Sequence, residues 1–449
     1  MRSDKTLVLF TVLAATAAFP TAAVPAFAAD KEQILYNFCS VLRGGLCSDG
    51  ALPYASLTFD ASGNLYGTTS LGGDGCDPPG CGVVFKLEPA GGGEEKETVL
   101  HSFGAGFDGY SPLASVTLDR AGNVYGTASM GGASGNGIVY ELVPGKNGKW
   151  AEKVLRSFKG KDGRQPTAAL VFDAAGQLYG TTFEGGTGQC KDGEFVEGCG
   201  IVFRLTLGAS GAWTEKVLYY FKDKSPDAIN PNAGVVFDSA GNLYGTTSGG
   251  GTYGVGTVYE LSPEANGTWA EKVLHSFGSE GDGVYPAGLV FDAAGNLYGT
   301  TYSGGLYGGG TVFQLVHGKN RSWTEKTLYS FCSMSNCEDG LFPESGVILD
   351  KAGSLYGTTY LGGAFFIDCQ NGLPFCGTVF ELTPRNNGPW TEKVLHSFQN
   401  NGKDGVSPDT GLAIDATGNL YGTTGFGGAF GSCDGPDGPR CGVVFEITP

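Results

Sequence analysis

Histidine is almost absent, at four residues in 449. So small a stock argues against histidine-based acid–base chemistry and against a transition-metal site. Charge is scarce too. Charged residues make up 16% of the chain, against about 25% in an ordinary soluble protein. Acidic residues outnumber basic ones, for a net charge of −17, so nucleic acid and anionic lipid are not expected partners. After the first thirty residues no stretch approaches the apolar length of a membrane span, and none sustains a helical period. No membrane insertion is expected. No Gly-x-Ser-x-Gly elbow, phosphate loop or dinucleotide fingerprint stands in a fitting context.

Glycine is in excess, with 78 residues, about 17% where about 7% is usual. There is no strict Gly-X-Y period, which excludes collagen, and aromatics at 12% exclude a disordered linker protein. Glycine beside Tyr, Phe and Val points to many short strands and tight turns.

The N-terminus has its own logic. Arg2 and Lys5 precede an apolar stretch from Leu7 to Phe19, and Ala26-Phe27-Ala28 offers a small-x-small cleavage site. Residues 1–28 therefore read as a secretory signal peptide, and the protein as exported, to the periplasm or the medium. Its removal takes Arg2, Lys5 and Asp4, leaving 26 Lys and Arg against 44 Asp and Glu, a net charge of −18.

The string Gly-Asn-Leu-Tyr-Gly-Thr-Thr, or a close variant, recurs seven times, with its tyrosine at Tyr66, Tyr125, Tyr179, Tyr244, Tyr298, Tyr356 and Tyr421. The intervals are 59, 54, 65, 54, 58 and 65 residues. An Asp stands three residues before the Gly each time, at Asp60, Asp119, Asp173, Asp238, Asp292, Asp350 and Asp415. Asp-x-x-Gly between apolar runs is a hairpin signal, with Asp capping the turn and Gly taking the positive φ. Four strand-like runs, A to D, recur per unit; in the first they are 56–60, 64–69, 82–87 and 98–103. Run A is nearly all apolar, as in Val235-Val236-Phe237, which predicts a strand buried on both faces.

A unit of this size cannot bury both faces of its sheet alone, so the units pack on one another, as a ring or as a stack. The chain opens on a D-type run, Ile34–Phe38, and closes on a C-type run, Gly442–Thr448. A stack wants polar caps at both ends, whereas a ring wants the last unit's missing D supplied from the N-terminus. The expectation is an all-β, seven-bladed β-propeller of four-stranded blades over residues 29–449, one domain and a monomer, closed by 34–38 pairing beside 443–447.

The 12 cysteines fall into close pairs: Cys39–Cys47, Cys76–Cys81, Cys190–Cys199, Cys332–Cys337, Cys369–Cys376 and Cys433–Cys441. Both 54-residue intervals lack cysteine, and all four longer ones hold a pair. Cysteines that come and go two at a time are partners, and in an exported protein the partnership is a disulfide. Zinc needs Cys-x-x-Cys groupings that these spacings do not supply. Four pairs lie in B–C loops and two in D–A loops, which leave a propeller on the same face. Two readings stand: the staples reinforce the closure seam, or they rigidify a binding surface.

The order Asp-Gly-x-x-Pro, Phe-Asp-x-x-Gly-Asn-Leu-Tyr-Gly-Thr-Thr, Gly-Gly, Gly-x-Val-Phe-x-Leu and Trp-x-Glu-Lys resembles that of the GloVer tandem-repeat proteins over residues 33–449. The resemblance implies a secreted bacterial repeat protein of the kind called "choice-of-anchor", after the varied surface-sorting tails of related chains. This sequence stops at Pro449 inside a strand-like run, so no such tail is expected. The resemblance carries no activity over.

Candidate chemistry is thin. Asp-Gly-x-x-Pro opens six D–A loops, at Asp49, Asp108, Asp162, Asp282, Asp339 and Asp404, and Asp227 stands in the seventh. A ring of acids suggests cations, but repetition favours a capped turn. The weak calcium candidates are Asp74 and Asp77 beside Cys76, and Asp434 and Asp437 beside Cys433; no other cofactor is expected. His101, His275 and His396 share a strand D position with Tyr36, Arg156, Tyr219 and Tyr329, an interchange that marks a partly exposed outer-strand site. The five tryptophans (Trp150, Trp213, Trp269, Trp323, Trp390) share one position before strand D, which favours packing over sugar stacking. Phe365, Phe366 and Phe375 around Cys369/Cys376, and Phe430 near Cys433, are irregular aromatics and the candidates for ligand contact. The expected function is a non-catalytic extracellular binding module for a glycan or a protein. A polysaccharide hydrolase or lyase, with carboxylates converging on the channel mouth, and a purely structural envelope or matrix protein are the alternatives.

Overall fold

The computed structural model describes residues 31–449 except 90–94, 105, 193–194, 225, 320–321, 366–367, 371–372, 375, 386–387 and 430–440. Residues 1–28, the expected signal peptide, lie outside them. Each repeat is an antiparallel sheet in the order A-B-C-D, and seven such blades form a ring, a seven-bladed β-propeller. In blade 1 the strands are Thr58–Phe59, Leu65–Thr69, Val83–Pro89 and Glu95–Ser102. In blade 5 they are Gly283–Phe291, Leu297–Gly304, Thr311–His317 and Trp323–Ser330, and blade 6 runs from Ile348–Leu349 to Thr391–Ser397. Among the described residues no helix is long and apolar enough to cross a membrane.

The hairpin between A and B follows the chemistry of its aspartate. Asp60 Oδ1 accepts the backbone N–H groups of Ser62 (2.8 Å) and Asn64 (3.0 Å), while Oδ2 accepts Asn64 Nδ2 and the Tyr66 hydroxyl. A short polar side chain thus satisfies a whole turn. The Gly of Tyr-Gly-Thr is fixed by close approach: a Cβ on Gly67 would stand 2.5 Å from the ring of Phe85 on strand C.

Contacts between blades repeat as faithfully as those within them. The phenylalanine that follows each strand D meets the strand C aromatic of the next blade edge-on, as in Phe103–Tyr140 at 5.2 Å and Phe331–Phe380 at 4.9 Å. Such pairs contribute about 1 kcal/mol each beyond their buried area. The glycine that opens strand C packs on the proline of the next D–A loop; a Cβ on Gly377 would lie 2.5 Å from Pro408 Cδ. A strand B threonine donates across the junction, as Thr358 Oγ1 does to the Thr410 carbonyl at 2.8 Å.

The same contacts close the ring. Lys31–Asn37 pairs antiparallel with Val443–Thr448, with Ile34 opposite Phe445, so the N-terminal segment is strand D of blade 7. Thr423 Oγ1 donates to the Ala55 carbonyl at 3.1 Å, and Phe38 packs on Phe85 at 5.0 Å. Disulfides join Cys39–Cys47, Cys76–Cys81, Cys190–Cys199, Cys332–Cys337 and Cys369–Cys376. Cys441 is also disulfide-bonded; Cys433 lies outside the described residues.

Strand A departs from expectation. It pairs over only two half-buried residues in six blades, as at Thr58–Phe59 and Val236–Phe237. The residues before it run along the central channel, where their carbonyls accept the neighbouring threonines and so leave the sheet ladder.

Candidate functional site

The repeated acids of the D–A loops are structural. Each accepts from the strand D residue whose identity varies. His101 Nε2 lies 3.1 Å from Asp108, His275 Nε2 2.9 Å from Asp282 and His396 Nε2 3.2 Å from Asp404. The Tyr36 and Tyr329 hydroxyls donate to Asp49 and Asp339 at 2.8 Å, Tyr219 donates to Asp227 at 3.2 Å, and Arg156 pairs with Asp162. A loop N–H also caps several of these carboxylates, such as Ser333 N on Asp339 at 2.8 Å. The histidines are therefore not free outer-strand groups: their side chains are only 15–21% exposed, because each must reach under its loop.

A third group comes from the next blade, the glutamate of Trp-x-Glu-Lys or its equivalent. Burial first, and then the facing Asp404, pushes the Glu32 carboxyl up to about 9. Glu97, Glu152, Glu271 and Glu392 are pushed up to about 8, by burial and then by Asp49, Asp108, Asp227 and Asp339. At the three histidine junctions the ligating atoms of His, Asp and Glu lie within 4.8 Å of one another. Tyrosine or arginine does the same work elsewhere, so the shared role is to donate to the aspartate rather than to bind metal.

The tryptophans bridge blades. Trp213 packs on Tyr125, Trp323 on Tyr244 and Trp390 on Tyr298, at 6.3, 5.9 and 6.2 Å. Of the calcium candidates, Asp74 is engaged by Arg43 (3.3 Å) and the Ser48 hydroxyl (2.5 Å). Asp77 accepts the Gly80 N–H through its backbone carbonyl. Asp434 and Asp437 lie outside the described residues. Phe365 is exposed in the B–C loop of blade 6; Phe366, Phe375 and Phe430 lie outside the described residues.

The symmetry breaks at the channel. A cavity of about 210 Å³ is lined by the segments that follow each repeat proline. The first residue of that segment is Tyr54, Leu113, Thr167 and Asn232 in blades 1 to 4, and Glu344 and Asp409 in blades 6 and 7. Blade 5 is one residue shorter there: Asp292 stands six positions after Pro286, where the equivalent Asp of the others stands seven after its proline. The shortening has a consequence: the Thr246 hydroxyl is buried without a partner, while its counterparts in the other six blades all donate across the junction.

Glu344 and Asp409 stand on adjacent blades. Protein crowding in the channel pushes the Glu344 carboxyl up to about 7, although its side chain remains open to the cavity. Burial, and then the charge of Glu344, raises Asp409 well above the usual carboxylate range. Asp409 Oδ1 is buried and has no hydrogen-bond partner. Aromatic side chains gather beside them: Tyr302 stacks on Phe342 at 4.8 Å and 18°, and the hydroxyls of Tyr302 and Tyr360 are raised by burial and then by Glu344. Two carboxyls of raised pKa can donate or accept hydrogen bonds at this cavity, whose lining carries one aromatic residue, Tyr54. Most large exposed apolar side chains, among them Leu42, Phe107, Tyr253, Leu306 and Tyr307, stand on the D–A and B–C loops, the face onto which this mouth opens.

A family model described as the Gloeobacter/Verrucomicrobia repeat matches residues 27–195 and 187–373. No curated protein matches the sequence. Among solved structures, the chain aligns with the extracellular domain described for a one-component system of B. thetaiotaomicron at 12% identity and a TM-score of 0.51, over 93% of this chain and 42% of that one. It aligns with an ancestral GH74 enzyme at 13% identity and a TM-score of 0.50, over 89% of this chain and 51% of that one. At such identities the likeness is one of fold. The chain spans about half of either structure.

Proposed function

Taking as premise that the chain belongs to the Gloeobacter/Verrucomicrobia repeat family, we propose that it is an extracellular binding module that takes a glycan at the channel mouth of blades 5 to 7. A disulfide-stapled propeller of this kind fits an extracellular module. The observation that supports the placement is the clustering of non-repeating side chains. The A–B turns and the threonine and aromatic contacts between blades repeat, whereas the residue after the repeat proline is acidic in blades 6 and 7 alone, and binding sites tend to break a propeller's symmetry rather than follow it. Carboxyls accept sugar hydroxyls, and aromatic faces stack on sugar rings.

A thermal-shift screen of the protein against polysaccharides, with and without calcium, tests this reading. A ligand that binds only the native state raises the melting temperature by mass action. The expected result is a saturable shift with one glycan class that Tyr360→Ala abolishes. No shift with any glycan would turn the reading toward a protein partner or a structural role. The two raised carboxyls specifically favour one further reading, glycoside cleavage, in which a protonated acid and an ionised partner flank the bond. Products released by the native protein and not by Glu344→Gln would support it.

A further inference from the structure

Cations are few on this protein and unevenly spread. Seven Lys and Arg stand in the seven D–A loops, and five of these, Lys159, Lys161, Arg164, Lys222 and Lys224, belong to the two loops that flank blade 3. The B–C loop of blade 3, stapled by Cys190–Cys199, lies between them. On one side its Gly186 N–H donates to the Gly160 carbonyl at 2.8 Å. On the other, a Cβ on Gly188 would stand 2.6 Å from the carbonyl oxygen of Phe221, the residue before Lys222. Both basic loops are thus fixed against one stapled loop. A groove of about 620 Å³ opens along the first of these junctions, lined by Lys159, Lys161, Arg164, Asn136, Thr187 and Gln189 among others. The acids beside it are already engaged: Asp162 pairs with Arg156, and Glu184 (3.4 Å) and Glu197 pair with Arg164. Lys159, Lys161, Lys222 and Lys224 are exposed and make no ion pair among the described residues, although Lys222 is near enough to Asp227 to act on its charge.

Among the described residues that line the groove, none has an aliphatic or aromatic side chain. Protein partners anchor through buried aromatic groups, membranes take up apolar ones, and single-stranded nucleic acid stacks on aromatic rings, so none of these finds a foothold. Amide and hydroxyl groups set among spaced ammonium groups suit a chain of sugar hydroxyls interspersed with anions. We infer that this groove is an anion-selective site for an acidic polysaccharide, one whose sugars carry carboxylate or sulfate. Lys159, Lys161 and Arg164 meet its charges in the groove, and Lys222 and Lys224 meet them where the chain crosses the stapled loop. The net charge of −17 repels such a ligand from the molecule as a whole, so the attraction is local to this sector. The site is separate from the channel mouth of blades 5 to 7 and does not depend on a glycan binding there.

Calorimetric titration of the full chain with three hexasaccharides tests this: one of galacturonate, one of 6-sulfated galactose and one of unmodified galactose. The expected result is that at least one acidic form binds about tenfold or more tighter than the neutral form. Its affinity should fall several-fold as salt rises from about 0.05 to about 0.3 M. The pair Lys159→Ala and Lys161→Ala should weaken that binding about tenfold, and the pair Lys222→Ala and Lys224→Ala several-fold, with unchanged melting temperatures. The pair Lys146→Ala and Lys149→Ala removes the same charge from the exposed C–D turn of blade 2, on the opposite face, and should change it by less than about twofold. Tyr360→Ala, which tests the channel mouth, should leave acidic binding intact. Equal binding of acidic and neutral sugars, no binding of either acidic form, equal losses on the two faces, loss in Tyr360→Ala, or affinity that rises with salt would each overturn the inference. A glutamate hexapeptide that binds as tightly as the acidic sugars would overturn it too.

Discussion

Raising the pH from about 5 to about 8 should destabilise this protein, and the reason lies at its blade junctions. Glu32, Glu97, Glu152, Glu271 and Glu392 are held near 8 to 9 in the folded chain, by burial and a facing aspartate, whereas an unfolded glutamate titrates near about 4.3. Between those limits the native state holds protons that the unfolded state has released, so stability falls as pH rises and levels off once the folded groups ionise. Each proton held in excess contributes a slope of about 1.4 kcal/mol per pH unit. Five fully effective sites would give about 7 kcal/mol per unit; with solvent screening at these half-buried positions the effective number falls to about two, or about 3 kcal/mol per unit. On the acid side the order reverses. Asp60, Asp238, Asp292 and Asp415 are held low by the donors of their turns, despite partial burial, and that stabilisation is lost as the pH falls below their ordinary value near about 3.9. Maximum stability therefore lies near about pH 4 to 5. Urea unfolding at constant ionic strength measures the slope directly. Glu97→Gln, a permanently uncharged isostere, should remove about a fifth of that slope and gain about 1–2 kcal/mol at about pH 8. A midpoint that stays level or rises from about pH 5 to about pH 8 would refute the reasoning.

Three other outcomes follow from the packing. Tyr140 and Tyr259 bury hydroxyls without a partner where the other blades carry phenylalanine, so Tyr140→Phe and Tyr259→Phe should each be neutral to stabilising by about 1 kcal/mol in chemical denaturation. Deleting residues 31–37 removes strand D of blade 7 and uncovers its C strand; calorimetry should show loss of the single cooperative transition, and unchanged melting would contradict the closure. Thiol titration of the denatured, unreduced protein should find no free cysteine among the 12, and two or more would break the pairing that includes Cys433 and Cys441.

Much of this was legible in the chain because the repeats report one local environment seven times. Tyr-Gly-Thr, Gly-x-Val-Phe and the Asp-x-x-Gly turn are each explained by contacts within a blade or with its immediate neighbour, and strands B, C and D fall where alternation and turns put them. Strand A was harder to read: apolar composition says that Val235–Phe237 is buried, but not that its preceding carbonyls serve the next blade instead of the sheet. The junction triads were hidden because His101 and Asp108 meet Glu152 from another blade, so no short motif contains them. The channel mouth did leave a signal. The residue after each repeat proline changes from Tyr54 through Asn232 to Glu344 and Asp409 while its surroundings stay constant, and blade 5 drops a residue there. Periodicity alone does not say which repeat position faces the axis, whereas Phe365 and its neighbours stand out in the sequence because cysteines mark their loop.

Hydrogen–deuterium exchange with and without a saturating glycan would test the placement of the site most directly. Bound ligand should slow exchange in segments 342–346, 359–361 and 405–411 and leave the stapled loops 39–47 and 364–376 unchanged. Protection confined to the stapled loops, with the channel segments exchanging as in the free protein, would contradict the account.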